Sequence, residues 1–153
     1  MTGGTHQLAQ AASAGAATEA AVEVDLRRCD RAGPEHVLAA SCYLFATPEN
    51  LASMAGLMKD FFDRCYYPVL ERVVGRPYAT LICAGSDGAG AQRQIDRIAS
   101  GWRLRRVAEP LIVCTHAQTR EAIEAPKRIA PAELARAREL GAALAAGTAL
   151  GLW

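Results

Sequence analysis

The chain has 153 residues, about half of them apolar, with 17 basic against 16 acidic side chains and a net charge of +1. That is enough chain for one domain with a continuous core, and the lack of any block of like charge argues against a nucleic-acid or anionic-membrane surface. No apolar run approaches the roughly 20 residues of a membrane span, and the amino terminus has no basic-then-apolar secretory pattern.

Five cysteines, an odd number with no CxxC, and three widely spaced histidines complete the chemical inventory. Cys42, Cys83 and Cys114 sit in apolar runs, where Cys behaves as a small hydrophobe. The pattern predicts a cytoplasmic protein with no disulfide framework and no metal site.

In chain order, Thr2-Gly3-Gly4-Thr5 is a small polar loop ahead of a helix expected from about His6 to Ala20. That helix is rich in Ala and Gly, and its first acid is Glu19, at the far end. A first turn free of acid is what an anion site at a helix amino terminus requires. Ala21 to Leu26 alternates and predicts a strand; Pro34 to Ala40 predicts a short helix. Cys42 to Ala46 is an apolar run ending at Thr47-Pro48-Glu49-Asn50, read as a strand and a turn. Leu51, Met54, Met58 and Phe61 follow at helical spacing, with Lys59, Asp60, Asp63 and Arg64 off the stripe, so a helix is expected directly after the turn and up to about Arg64.

Tyr78 to Ala84 predicts a third strand, ending in Gly85-Ser86-Asp87-Gly88, and Ala91 to Ser100 a helix with Ile95, Ile98 and Ala99 inward. Trp102 to Val107 reads as an edge segment and Leu111 to Cys114 as a fourth strand. Thr115 to Arg128 reads as irregular or briefly helical. Pro131 opens a last helix to about Ala149, with Leu134, Ala137, Gly141 and Leu144 on one side. Alternating strands and helices predict an α/β fold, a parallel sheet with helices on both faces, in one domain over residues 1–153. The loops at Thr2, Thr47 and Gly85 each precede a helix, and in such a sheet all three emerge on the carboxyl edge, where ligands bind.

These residues resemble the flavodoxin-like family, closest to its NAD(P)H-dependent FMN and quinone reductases, the tryptophan-repressor-binding-protein-like group among them. Thr2-Gly3-Gly4-Thr5 is similar to the end of the family's phosphate loop. Thr47-Pro48-Glu49-Asn50, with Met54 to Arg64 after it, resembles its flavin-edge loop and Lys-x-Phe-x-Asp-Arg helix. Gly85-Ser86-Asp87-Gly88 matches its third flavin loop. The resemblance implies a flavodoxin-like three-layer sandwich with strand order 2-1-3-4-5. It implies one FMN, NAD(P)H as electron donor, a small acceptor such as a quinone or flavin, and often a homodimer or homotetramer. Thr2, Gly3, Gly4 and Thr5 would hold the phosphate. Thr47, Pro48, Glu49, Asn50 and Leu51 would flank one side of the isoalloxazine, and Gly85, Ser86, Asp87 and Gly88 the other. The flavin would carry the chemistry, so no catalytic acid or base is expected.

Two departures stand out. The loop after Pro48 lacks the family's Gly-Asn element, and no strand precedes Thr2. Losing the central strand would remove on the order of 10 kcal/mol of apolar burial, comparable to a whole domain's stability of about 5–15 kcal/mol. The expectation is that translation starts upstream of Met1, and that the strand from Cys42 has an unfilled neighbour toward Ala21. His116, Tyr66, Tyr67 and Trp153 remain secondary candidates for substrate or subunit contacts, with structural roles as the simpler account. Glu49 or Asn50 could cap the helix that follows. An electron-carrier flavodoxin is one alternative, disfavoured by the lack of the acidic surface that guides carrier docking. A module that has lost FMN is the other.

Overall fold

The computed structural model describes residues 2–153. Its centre is strand β3, Pro77–Ala84, all eight residues of which are buried. On one side it pairs in parallel with β1, Tyr43–Asn50, in the register Tyr43↔Tyr78 to Pro48↔Cys83. Its other side is shared end to end by two parallel strands. β4, Arg105–Arg106, takes the first residues and β5, Leu111–Cys114, the last. A short strand β2, Ser53–Met54, folds back antiparallel on the end of β1. The exposed arginines of β4 discourage further pairing at that edge.

Successive residues of a strand face opposite sides, and the two cores follow from that alternation. Tyr43, Phe45, Tyr78 and Ile82 face helices α2 (Pro34–Ala39), α3 (Gly56–Val69) and α4 (Ala89–Gly101). There Phe45, Phe62, Trp102 and Tyr66 form a chain of ring contacts with centroids 5.1, 5.4 and 6.1 Å apart. Leu81, Cys83, Leu111 and Val113 face α1 (Gly4–Ala16) and α6 (Pro131–Ala149). A short helix α5, Arg120–Glu124, lies between β5 and α6. The result is the expected flavodoxin-like α/β sandwich.

The small residues of α1 allow a close crossing with α6 as well as packing on the sheet. A methyl at Gly15 would collide with the carbonyl of Arg138, and one at Gly141 with the carbonyl of Ala12.

Three expectations change. Ala21–Leu26 is not a strand but a turn and bend that lead into irregular, largely exposed chain. Alternation alone does not make a strand; a ladder partner does, and among the described residues none lies beside it. From Tyr43 to Pro48, the edge of β1 away from β3 likewise has no strand partner among the described residues. The residues read as a turn, Thr47–Asn50, continue β1, and α3 begins only at Gly56. Met54 is buried from β2, so its spacing to Met58 imitates a helical repeat, while Leu51 is fully exposed. The first helix also ends at Ala16 rather than Ala20.

Overpacking at the α1–α6 crossing should cost about 1–3 kcal/mol. Gly141→Ala is expected to lower the unfolding free energy measured in urea by that amount, whereas Gly56→Ala, with nothing within 4 Å, should leave it nearly unchanged. A second expectation concerns alkali. Burial pushes the Cys65 thiol from its ordinary 9.0 up to about 11. Burial, then the hydrogen bond and charge of Asp96, raise the Tyr78 phenol. The native state therefore holds these protons more tightly than the unfolded chain. The Cys65 contribution is complete below pH 9 and is lost as pH rises toward 11, and the Tyr78 contribution is complete below pH 10 and is lost above it, each at up to about 1.4 kcal/mol per pH unit. Denaturation between pH 8 and 11 should show that slope, and Cys65→Ala should flatten it.

Candidate functional site

The three predicted loops gather at the carboxyl ends of β1 and β3. The first is built onto the end of β3. Gly3 adopts a left-handed conformation, φ 85°, as the cap of α1. Gly4 lies so close to Cys83 that a Cβ there would stand 2.7 Å from its Sγ, with Ile129 and Lys127 closing the other sides. The Thr5 side chain lies beside the Cys83 thiol. The first intrahelical donor is the amide of Gln7, to the carbonyl of Gly3 at 3.1 Å. The amides of Gly4, Thr5 and His6 precede it and have no helical acceptor. Among the described residues no side chain accepts from them, and the first turn contains no acid.

Distant residues brace this loop. Gln7 Nε2 donates to the carbonyl of Lys127 at 2.7 Å and to that of Gly3 at 3.3 Å, and its Oε1 accepts from the amide of Ile129 at 3.2 Å. The Lys127 amide donates to the carbonyl of Thr2 at 2.7 Å. Lys127 Nζ donates to the carbonyls of Ala122, Ile123 and Ala125, closing the end of α5.

The second and third loops are joined to each other. Leu51 and Ala52, φ 52° and 59°, turn β1 into β2 with two successive left-handed residues, the tight hairpin geometry that Asn-Gly favours. Thr47 is buried at the hairpin's base, where its hydroxyl accepts from the Ala55 amide at 3.2 Å and donates to the Pro48 carbonyl at 3.1 Å. Ser53 Oγ and the Met54 amide donate to Gln94 Oε1 at 2.8 and 3.1 Å. The Glu49 carboxylate accepts three backbone amides at the start of α4, from Gly88 at 2.7 Å, Gly90 at 2.9 Å and Ala91 at 3.1 Å. Glu49 thus caps α4, not the helix next in sequence. A Cβ on Gly90 would collide with the Ala52 carbonyl, so the hairpin tip rests directly on α4. Gly88 is left-handed, φ 87°, and a Cβ there would stand 2.5 Å from Ile112.

The side chains of Asn50, Ser86 and Asp87 make no hydrogen bond among the described residues; Ser86 and Asp87 are exposed, and Asn50 is half-buried. Beyond β5, Thr115 ties to the Ala84 carbonyl through its amide at 2.9 Å and its hydroxyl at 3.1 Å. That brings exposed His116, φ 53°, to the same edge. Tyr66 packs on Trp102 near the far end of α3, Trp153 lies against Gly147, and Met54 and Met58 are core residues. Two open grooves of about 350 Å³ lie elsewhere, one along Ser41, Arg76 and Trp153, the other along Glu109, Arg136 and Glu139. Among the described residues no three His, Cys, Asp or Glu side chains are grouped to hold a metal. No helix there is long and apolar enough to cross a membrane.

Residues 31–118 match the family model described as NADPH-dependent FMN reductase. The chain belongs to that family. Solved structures share the fold at low identity. A flavodoxin from the domain Archaea is 16% identical with a TM-score of 0.75, over 95% of this chain and 91% of that one. The flavodoxin, WrbA-like protein of Agrobacterium tumefaciens is 18% identical with a TM-score of 0.73, over 99% and 92%. An NAD(P)H:quinone oxidoreductase from Methanothermobacter marburgensis is 14% identical with a TM-score of 0.55, over 92% and 89%. No curated protein matches the sequence.

The donor set fits FMN. A phosphate needs neutral donors and a positive helix pole. Of the two glycine-capped helix starts at this edge, α4 is already filled by Glu49 and α1 is open. A flat heterocycle needs backbone and small polar groups at its rim, which the hairpin and the Gly85–Gly88 loop present. Gln7, Lys127 and Gln94 carried no sequence signal, since each acts on an element far away in the chain.

Two non-glycine residues in left-handed backbone make the hairpin a strained element. Replacing Leu51-Ala52 by Asn-Gly should stabilise the fold by about 1 kcal/mol. A higher denaturant midpoint in chemical unfolding is the expected readout.

Proposed function

We propose that the chain binds one FMN at this edge and passes electrons from NAD(P)H to a small acceptor such as a quinone or a second flavin. The observation that carries the reading is the open, acid-free start of α1 held against β3 beside two joined polar loops. Thr2, Gly3, Gly4 and Thr5 would receive the phosphate on backbone amides and hydroxyls. Pro48, Asn50 and Leu51 would border one side of the ring, and Gly85, Ser86, Asp87 and Gly88 the other. Thr47 and Glu49 would act from behind, by fixing those segments. Bound FMN supplies hydride and single-electron transfer, while the chain binds, orients and shields it. A net charge of +1 favours a reductase over an acidic carrier. We extend the reading to a single cytoplasmic domain working as a homodimer or homotetramer. The open edge of β1 favours a second reading, a flavodoxin-like module that holds no FMN.

Titration with FMN and riboflavin, followed by flavin fluorescence, separates these readings. The first predicts FMN uptake in preference to riboflavin, and bleaching of the bound flavin by NADH or NADPH without a partner protein. Bleaching only by dithionite would indicate a carrier, and no uptake of either flavin the second reading. Gly4→Ala, which presses a methyl against Cys83, should weaken FMN by about tenfold or more, roughly 1.4 kcal/mol, and leave riboflavin affinity unchanged.

A further inference from the structure

The starts of α1 and α4 are alike in the features that make a helix end attractive to an anion. Each has a left-handed glycine cap, and neither has an acid in its first turn. They differ in one respect. At α4 the half-buried Glu49 carboxylate, delivered from β1, accepts from Gly88, Gly90 and Ala91 at 2.7–3.1 Å. At α1 no side chain among the described residues plays that part. Hydrogen bonds to a carboxylate are roughly twice as strong as neutral ones, and a full negative charge more than offsets the roughly half charge of a helix pole.

From this we infer that Glu49 is a positioning residue that sets both the orientation and the reduction potential of the bound flavin. The inference rests on the FMN reading given above. With α4 neutralised, α1 is the glycine-capped helix start left open at the edge, so a phosphate is drawn to that end. Between the two loops that would flank the ring, the fixed charge is then negative rather than the bare pole of a helix. A negative charge there disfavours added electron density on the ring. The flavin site is polarised, positive at the phosphate end and negative at the ring end.

The test is Glu49→Gln in the full chain. Glutamine keeps the shape and an acceptor oxygen but removes the charge. The expected result is a higher midpoint potential for bound FMN. Affinity for reduced relative to oxidised flavin should rise by about tenfold, which is about 30 mV for a two-electron couple. Glu139→Gln, a charge removal at an exposed position on α6, should leave the potential where it is. A potential that stays put or falls in Glu49→Gln overturns the inference, even if thermal stability drops, because a purely structural cap would lower stability alone. Should that variant not fold, amide exchange in the intact chain decides. Without flavin, the amides of Gly88, Gly90 and Ala91 should be protected, and exchange at the rate of free amides overturns the clamp. An intact chain that takes up no flavin while those amides stay protected refutes the FMN reading, and the inference with it, but leaves the cap itself standing.

Discussion

The structure depends on the pairing of β3 with a parallel strand on each side. Every residue of β3 is buried, so its backbone groups need partners within the protein. β1 supplies them along one edge and β4 and β5 along the other. Once that pairing is set, the alternation of β3 side chains divides the molecule into an aromatic core under α3 and α4 and an aliphatic one under α1 and α6. The carboxyl ends of the strands are then level with one another, and the loops that leave them become neighbours.

What those loops can do is decided by elements packed behind them. Glu49 reaches from β1 to α4, Gln94 from α4 to β2, and Gln7 from α1 to the segment before α6. Each link ties a loop to a rigid element on a different part of the chain. The side chains of Asn50, Ser86 and Asp87 have no such ties among the described residues. The division suits a site that binds a cofactor through backbone and small side chains while the cofactor carries the chemistry.

Much of this was legible in the sequence because it depends on local pattern. The apolar run Tyr78 to Ala84 reads as a buried strand, and Pro131 marks the first residue of α6 as observed. The three loops were visible as Gly- and Thr-rich punctuation between periodic segments. The errors arose where tertiary context overrides local pattern. Ala21 to Leu26 alternates as a strand does, yet has nothing to pair with. Leu51 and Met54 keep a helical spacing to Met58, but Leu51 lies in a two-residue turn and Met54 in the strand after it, and neither Leu51 nor Ala52 is a residue that advertises left-handed backbone. The role of Glu49 was half legible: its capping chemistry could be anticipated, but the nearest of its partners, Gly88, lies 39 residues farther along.

The brace between Gln7 and residues 127–129 bears on how the protein folds. It joins positions 120 and 122 residues apart, so its contacts close one of the longest loops the chain can form, and contacts of that range are slow to make. On a ribosome, Gln7 emerges 120 residues ahead of Lys127. The start of α1 therefore waits while that length of chain is made before the segment that holds it arrives. The loop from Thr2 to Thr5 is thus made well before it can take its final shape.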